Sequence, residues 1–230
     1  MTDKDAVVLL SGGIDSATAA ALAQQDGYGL HALSFNYGQR HARELQSAAK
    51  VAAFLRAKTH QVIHFDLQAI GGSALTDDVA VPKGRSATEI ARGIPVTYVP
   101  ARNTIFLSFA LALAERLGSQ DIFFGANQLD YSGYPDCREE YIRAFENMAN
   151  LATKAAVENR SRVRIHAPLL QMTKADIIKT GLHLGLDYGI TWSCYDPGAD
   201  GHACGRCDSC QLRLKGFHAA GSSDPIDYAR

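Results

Sequence analysis

The feature that most constrains this chain is an apolar run that ends in two consecutive glycines, at residues 6–16 (AVVLLSGGIDS). The run 6–10 is short and continuously apolar, which predicts a strand buried on both faces in a parallel sheet. Gly12 and Gly13 lack a Cβ atom, so they can adopt positive φ and let backbone N–H groups approach a ligand closely. A helix predicted over 16–25 directs its N-terminal N–H groups to the same place. The turn is therefore expected to bind an anion, such as phosphate or pyrophosphate.

The spacing of this turn excludes two common nucleotide-binding motifs. No lysine follows the glycines as in the G-x-x-x-x-G-K-[ST] loop, and G-x-G-x-x-G is absent. The string S-G-G-x-D-S after a first strand resembles the signature of the PP-loop pyrophosphatases, which split ATP between the α and β phosphates and transfer AMP to a substrate oxygen. An ordinary turn capped by an aspartate or serine is the alternative. The residues expected to bind the nucleotide are Leu9, Leu10, Ser11, Gly12, Gly13, Ile14, Asp15 and Ser16.

The pattern after the turn predicts an α/β fold with a parallel sheet and helices on both faces, because strand-like and helix-like segments alternate. The PP-loop resemblance makes this a Rossmann-like domain of the adenine-nucleotide alpha hydrolase kind. We expect a nucleotide-binding domain over 1–160 and a smaller helical and zinc-binding portion over 161–230. The connection 67–95 is of a length that is more often functional or mobile than structural. Strands are predicted over 6–10, 30–36, 59–65, 96–99, 121–124 and 163–167, and helices over 16–25, 44–54, 104–117, 139–159 and 174–184.

Polar residues follow several of these strands, and ligands of an open parallel sheet collect beyond the carboxyl ends of its strands. Gln39 and Arg40 come after the second strand and are expected to contact adenine or ribose. Arg102 and Arg138 are candidates for contact with phosphate or carboxylate, since guanidinium groups bind these anions in a forked geometry. The alternative for both arginines is a role as surface charges.

The segment 125–138 (GANQLDYSGYPDCR) is too polar and rich in turn residues to be core. Its tyrosines offer flat faces for a planar ring, and its aspartates could accept paired hydrogen bonds from a guanine-like edge. We expect a pocket for a heterocycle here, with a solvated loop as the alternative. The residues expected to bind the substrate are Asn127, Asp130, Tyr131, Tyr134 and Asp136.

Four of the five cysteines lie within seventeen residues, at Cys194, Cys204, Cys207 and Cys210. Close spacing in a chain with no export signal favours a metal site over disulfides. Four thiolates can enclose Zn²⁺ tetrahedrally, and a site with no open position is structural. An iron–sulfur cluster is the main competitor, because C-x2-C-x2-C also occurs in ferredoxins. His202 is the nearest alternative ligand.

The composition argues against exported, membrane and extended nucleic-acid-binding proteins. Hydrophobic residues make up 47% of the chain and charged residues 20%, as in an average soluble protein. The net charge of −1 leaves no basic footprint for nucleic acid. We find no signal peptide and no run of membrane-spanning length, so we expect a cytoplasmic protein with no membrane or nucleic-acid partner.

Several strings together resemble the 7-cyano-7-deazaguanine synthase family of queuosine biosynthesis. They are SGGIDS, NYGQRHARE at 36–44, VPARNTIFLSFA at 99–110, the 125–138 segment and the cysteine cluster with CGRCDSC. The resemblance spans roughly residues 6–218. It implies an enzyme, a carbon–nitrogen ligase, that uses ATP to convert 7-carboxy-7-deazaguanine and ammonia into the nitrile, with zinc in the C-terminal part. We also expect a homodimer.

The chemistry implied by this resemblance begins with the activation of a carboxylate as a mixed anhydride with AMP. Ammonia then gives an amide, whose oxygen needs a second activation before the nitrile can form. Backbone dipoles of the glycine turn, with Mg²⁺, would stabilise the departing pyrophosphate. The residues given catalytic roles are Ser11, Asp15, Ser16, Arg102 and Arg138.

Three alternatives to this interpretation remain open at the level of sequence. Cys137 lies near the expected acyl group and could form a thioester. A PP-loop tRNA thiolation enzyme would adenylate a base oxygen and deliver sulfur, but the cysteine cluster leaves only Cys137 for sulfur relay. A zinc-ribbon nucleic-acid binding module would need a basic surround, and Arg206, Arg213 and Lys215 are few against the acidic residues nearby.

Overall fold

The computed structural model describes residues 4–39, 43–90, 93–127 and 134–229, and its centre is a sheet of parallel strands. Continuous apolar stretches form these strands because helices cover both faces of the sheet. The prediction of a parallel α/β fold is confirmed. The strands are β1 (Lys4–Leu9), β2 (Tyr28–Asn36), β3 (Thr59–His64), β4 (Asp121–Phe123) and β5 (Arg164–His166).

The five strands pair in the order β3-β2-β1-β4-β5, which places β1 in the middle. Ala6 pairs with Leu30 on one side and with Asp121 on the other. The chain builds outward from β1 through β2 and β3, and then returns to the opposite side of β1 with β4. This reversal leaves a crevice beyond the carboxyl ends of β1 and β4, where open sheets of this kind bind ligands.

Helices flank the sheet on both faces, and the alternation of side chains along β1 shows how the faces divide. Ala6 and Val8 pack toward the first core cluster, and Val7 packs toward the second. Helices α1, α2, α7 and α8 contribute to the first cluster, and α4 and α5 to the second. The helices are α1 (Ile14–Gln25), α2 (Arg43–Phe54), α3 (Ala87–Ile90), α4 (Arg102–Leu117), α5 (Glu139–Ala152), α6 (Lys154–Val157), α7 (Lys174–His183) and α8 (Asp208–Ala220).

The prediction of a strand over 96–99 is wrong, because this segment forms a turn. Pro95 and Pro100 bracket it, and proline supplies no N–H group for a ladder. The Tyr98 N–H donates back to the Pro95 carbonyl at 2.9 Å. The Val96 carbonyl accepts from the Ala74 N–H at 2.8 Å, so this turn is hydrogen-bonded to an earlier part of the connection 67–95 and not to a strand.

The prediction of one helix over 139–159 is also wrong, because the helix breaks at Thr153. This residue has extended backbone angles, φ −91° and ψ 141°, between α5 and α6. Its hydroxyl donates to the Ala149 carbonyl at 3.0 Å, a local bond through which threonine competes with regular helix. The sequence patterns do not predict helix α8 (Asp208–Ala220), whose first residues belong to the cysteine cluster.

The long connection 67–95 packs against the cysteine-rich part of the chain. Lys83 forms an isolated antiparallel bridge with Cys207, and the Gly84 N–H donates to the Arg206 carbonyl at 2.8 Å. The Arg85 guanidinium pairs with the buried carboxylate of Asp208 at the start of α8. A segment without helical or strand periodicity is therefore held in place by the structure that it covers.

The C-terminal part is tied to the rest of the chain by the sheet itself. Strand β5 follows residue 160 and pairs with β4, so the sheet continues across the expected domain boundary. The division into 1–160 and 161–230 stays a prediction. Within the described residues, we find no helix whose length and hydropathy would let it cross a bilayer.

A buried ion pair holds α8 against the C-terminal tail. Arg213 is 1% exposed and donates to both carboxylate oxygens of Asp224, at 2.7 and 2.9 Å. The same guanidinium donates to the Thr191 hydroxyl at 2.8 Å and to the Tyr188 carbonyl at 3.0 Å. One side chain therefore connects three separate segments of the C-terminal part.

We expect Asp224→Asn to lower the free energy of unfolding by about 3–5 kcal/mol, because the buried Arg213 loses its counter-charge. Urea denaturation measures this change. Glu139→Gln, which breaks an exposed pair with Arg143 in α5, is the control and should stay within about 1 kcal/mol of wild type. Equal stabilities for the two variants would contradict the assignment of Arg213 as a structural anchor.

Candidate active site

A cavity of about 270 Å³ opens at the carboxyl ends of β1, β2 and β4, at the reversal of strand order. The glycine turn forms one wall, and the start of α4 with the segment after β4 forms another. The predicted nucleotide and substrate regions therefore meet in one place. Its described lining includes Leu9, Leu10, Ser11, Gly13, Ile14, Asp15, Ser16, Tyr37, Gln39, Glu44, Arg102, Asn127, Tyr134, Cys137, Lys174, Trp192 and Tyr195.

A glycine is required at position 12 for two reasons, the backbone angle of the turn and the lack of space for a side chain. Its φ of +85° lies in the left-handed region, which side chains other than glycine rarely adopt. A Cβ atom there would lie 2.4 Å from the Glu44 carbonyl oxygen and 2.5 Å from the Ala48 nitrogen. The Trp192 N–H also donates to the Gly12 carbonyl at 2.8 Å. The turn is thus wedged between the first turn of α2 and the C-terminal part.

Hydroxyl groups brace the turn from within. The Ser11 and Ser16 hydroxyls share a hydrogen bond at 3.0 Å, and the Ser16 hydroxyl lies 3.1 Å from the Gly13 carbonyl as a donor. Gly13 is the N-cap residue of α1, and no side chain in the described part of the chain caps this helix. The first N–H groups of α1 are therefore left for a ligand, as in other anion-binding helix termini.

Lys174, the first residue of α7, reaches the turn from the C-terminal part. Its ammonium group donates to both carboxylate oxygens of Asp15, at 2.6 and 2.8 Å. Its side chain passes α8 at Gly216, where an added Cβ would lie 2.4 Å from the Lys174 Cγ. The pair brings a positive charge to the edge of the anion-binding turn.

Arg102 supplies the second positive charge of the cavity, at the start of α4. Its Nε atom is buried and has no hydrogen-bond partner among the described residues. Burial by itself would lower the pKa of this guanidinium, but Tyr37, the neighbouring tyrosines and Asp136 raise it, with a net upward shift. Arg102 therefore stays charged, with donor capacity left for an anionic ligand.

Asp136 is buried beside this arginine, and one of its oxygens is held by the protein. Its Oδ2 accepts from the Asn103 N–H at 3.2 Å, whereas its Oδ1 has no hydrogen-bond partner among the described residues. The neighbouring Cys137 thiol accepts from the Asn103 amide at 3.4 Å. Burial raises the pKa of Cys137 to about 12, so the thiol is protonated at neutral pH.

The remaining predicted residues differ in where they lie. Gln39 and Asn127 line the cavity, but their side chains also brace the backbone, at Phe35 and Tyr37 for Gln39 and at Leu169 and Met172 for Asn127. Arg138 is exposed, donates to the Pro135 carbonyl at 3.2 Å, and is not part of the cavity lining. Arg40, Asp130 and Tyr131 lie outside the described residues, so their predicted roles stay predictions.

The four clustered cysteines converge in the C-terminal part. Their sulfur atoms all lie within 4.8 Å of one another. The Cys204 N–H donates to the Cys194 sulfur and the Cys207 N–H donates to the Cys204 sulfur, both at 3.3 Å, so the backbone helps to hold these two sulfurs in the cluster. The predicted four-cysteine site is therefore compatible with a tetrahedral zinc ion.

Two charged residues of the cavity were missed in the sequence. Lys174 lies 159 positions from Asp15, and no spacing rule joins them. Glu44 is the last residue of the string NYGQRHARE, and the sequence pattern indicates only that it begins a helix. Its position in the cavity depends on the packing of α2 against Gly12, which local sequence does not express.

The parallel sheet, the SGGIDS turn at its reversal point and the cavity beside it define an α/β protein of the PP-loop fold with one candidate active site. A solved structure of NMN synthetase from Francisella tularensis has the same fold, with a TM-score of 0.51 and 19% identity, covering 96% of this chain and 79% of that one. A family model described as Queuosine biosynthesis protein QueC matches residues 5–221. The chain belongs to this family.

Two relatives that match nearly the whole chain carry the same name. The 7-cyano-7-deazaguanine synthase of Paramagnetospirillum magneticum is 62% identical over 226 residues, 98% of this chain and 99% of the relative. The 7-cyano-7-deazaguanine synthase of Syntrophotalea carbinolica is 65% identical over 227 residues, 99% of this chain and 97% of the relative. The resemblance drawn from the motifs is confirmed.

The raised pKa of Cys137 predicts a thiol that does not act as a nucleophile. We expect iodoacetamide at pH 8 to leave Cys137 unmodified in the folded protein, because the reactive thiolate is scarce well below a pKa of about 12. Peptide mass spectrometry measures the modification, and protein unfolded in urea is the control. Rapid labelling of Cys137 before unfolding would restore the thioester mechanism as a candidate.

Proposed function

We propose that this chain uses ATP to convert 7-carboxy-7-deazaguanine and ammonia into 7-cyano-7-deazaguanine, the activity in its relatives' name. The observation that carries the proposal is the meeting of the anion-binding turn and Arg102 in one cavity. The turn suits the phosphates of ATP, and the arginine suits a carboxylate. A carboxylate at neutral pH is a poor electrophile, so it must be activated by the ATP that is bound beside it in the same cavity.

The first step follows from the charges in the cavity. The substrate carboxylate attacks the α phosphorus of ATP, and pyrophosphate leaves. The uncapped N–H groups of α1, the serine hydroxyls and the Lys174 ammonium group are the described groups that can neutralise the charge on the leaving pyrophosphate. Arg102 orients the carboxylate, since its Nε has no protein partner among the described residues.

The acyl adenylate then reacts with ammonia to give the amide and AMP. A second ATP activates the amide oxygen in the same cavity, and loss of AMP leaves the nitrile. Both activations need the same contacts, because the carboxyl carbon and the pyrophosphate occupy the same positions each time. The protein thus contributes mainly orientation and charge neutralisation.

The heterocycle is expected to bind on the Arg102 side of the cavity. Tyr37 and Tyr134 line this side, and their rings offer flat faces to a planar base. The Asp136 Oδ1 atom is the acceptor proposed for an amino or N–H group of the deazaguanine edge. We leave Arg138 out of the site because it is exposed.

Mg²⁺ and Zn²⁺ are proposed as the metals. The Asp15 carboxylate fits Mg²⁺, a cation that prefers oxygen ligands and is usually bound with substrate phosphates. Mg²⁺ would add to the charge neutralisation of the phosphates. The four thiols fit Zn²⁺ in a closed structural site that joins the connection 67–95 and α8. A cytoplasmic homodimer stays our prediction.

The proposal is tested by incubating purified protein with ATP, Mg²⁺, ammonium and 7-carboxy-7-deazaguanine at neutral pH. We expect the nitrile by mass spectrometry, with two AMP and two pyrophosphate formed for each nitrile. Omitting ammonium should leave ATP cleavage without amide or nitrile. Absence of any product over a range of metal concentrations and pH values would refute the proposed activity.

We expect Cys204→Ser to lose the bound zinc and to unfold at lower temperature, because one thiolate of a four-thiolate site is removed. Metal analysis should give one zinc per wild-type chain and less than a tenth of this in the variant. Cys137→Ser, which changes the cysteine outside the cluster, is the control. A wild-type protein that absorbs visible light near 400 nm and carries iron would overturn the assignment of zinc.

A further inference from the structure

The reaction proposed above releases protons, and none of the residues assigned a role so far accepts them. When ammonia displaces AMP from the acyl adenylate, the nitrogen gives up one proton in forming the neutral amide. When the amide becomes the nitrile, the same nitrogen gives up its two remaining protons, and the amide oxygen leaves with AMP. Three protons must therefore leave one nitrogen, which calls for a base beside the carboxyl carbon.

Few of the described residues that line the cavity can act as this base. Lysine and arginine are already cationic, and tyrosine phenols ordinarily titrate near 10. Burial raises the pKa of Tyr37 and of Cys137 further from neutrality. The described lining contains no histidine. Among its titratable side chains, this leaves the carboxylates of Asp15 and Glu44. The Asp136 carboxylate is not part of this lining, and its Oδ1 is already proposed as the acceptor for the deazaguanine edge.

Asp15 is already committed to another cation. Both of its oxygens accept from the Lys174 ammonium group, at 2.6 and 2.8 Å. Asp15 also belongs to the turn that we propose for phosphate and Mg²⁺, so a proton-accepting role would conflict with that function.

Glu44 differs from Asp15 in each of these respects. It lies in the first turn of α2, whose backbone contacts Gly12 of the glycine turn, and it lines the cavity. Its carboxylate has no hydrogen bond to a described residue, and Arg102 is the charged group that acts on it across the cavity. It therefore stands between the phosphate turn and the arginine proposed to hold the substrate.

We propose that Glu44 is the general base that accepts the protons from the substrate nitrogen, in amide formation and again in nitrile formation. The inference rests on the proposed function. In each transfer an N–H bond breaks, its electron pair stays on nitrogen, and an O–H bond forms on the Glu44 carboxylate. Between transfers the carboxylic acid returns its proton to solvent.

The electrostatics of the cavity suit this role. Burial raises the pKa of Glu44 to about 7, although Arg102 opposes the rise. The other titratable groups of the cavity near it are Tyr37, whose pKa is raised, and the Asp15–Lys174 pair on the far side of the turn. A base that titrates near neutrality can both accept and release protons at the working pH.

The test uses Glu44→Gln in single-turnover reactions that separate activation from proton removal. With ATP, Mg²⁺ and the acid but no ammonium, the variant should release pyrophosphate at a rate within about threefold of wild type. With ATP, Mg²⁺ and the purified amide, its rate of nitrile formation should fall by at least about 100-fold. Starting from the amide removes the titration of ammonium from the measurement.

The pH profile gives a readout that a structural role would not move. From the amide, wild-type kcat/KM should rise with pH through about 7, because Glu44 must lose its proton before it can accept one. Glu44→Gln should lack this rise, and Glu44→Asp should retain it with lower activity. Glu139→Gln, which removes a first-turn carboxylate from α5, is the matched control and should behave as wild type.

Two results would overturn the inference while leaving the proposed function intact. One is nitrile formation by Glu44→Gln within threefold of wild type, which would show that another group takes the protons. The other is an equal loss of pyrophosphate release and nitrile formation, which would assign Glu44 to phosphate or metal binding. Absence of nitrile from the wild-type enzyme would overturn both proposals.

Discussion

The close approach of Gly12 to the first turn of α2 is the contact on which the arrangement of this enzyme depends. With no side chain at this position, the turn after β1 can lie against the backbone of Glu44 and Ala48. The same contact lets the Trp192 N–H reach the Gly12 carbonyl from the C-terminal part. One glycine thus joins the sheet, α2 and the cysteine-rich part around the turn that we propose for phosphate. A side chain there would separate the three and open the cavity that they enclose.

The C-terminal part serves the active site through rigid attachments. Lys174 pairs with Asp15 across the cavity, and the Arg213–Asp224 pair fixes α8, which packs beside α7. The cysteine cluster and the connection 67–95 brace the other end of α8 through Arg85 and Asp208. The four cysteines lie at the end of this framework, so a metal bound by them would help to order the elements that hold Lys174. The four-cysteine cluster and the glycine turn are thus separate in space but belong to one connected framework.

Local sequence patterns predict much of the fold, and the two wrong predictions of secondary structure also have local causes. The apolar run before Gly12 predicted β1, and alternating segments predicted the parallel sheet, because burial on both faces leaves a continuous apolar stretch. The segment 96–99 has the β-branched composition of a strand but lies between two prolines, which prevent ladder pairing. Thr153 ended a helix whose periodicity continued beyond it. At 96–99 the prolines lack the N–H groups that a ladder needs, and at Thr153 the side-chain hydroxyl bonds to the Ala149 carbonyl in competition with the regular helix.

The sequence by itself determined the class of enzyme, the anion-binding turn and the four-cysteine site, because each depends on residues close together along the chain. It also contains the motifs that predicted the family to which the chain belongs. Only the tertiary structure decided which charged groups share the cavity. Lys174 reaches Asp15 from the opposite end of the chain, Glu44 enters through the packing of α2, and the exposed Arg138 stays outside. These relations depend on how helices dock onto the sheet, and no spacing in the sequence records that docking.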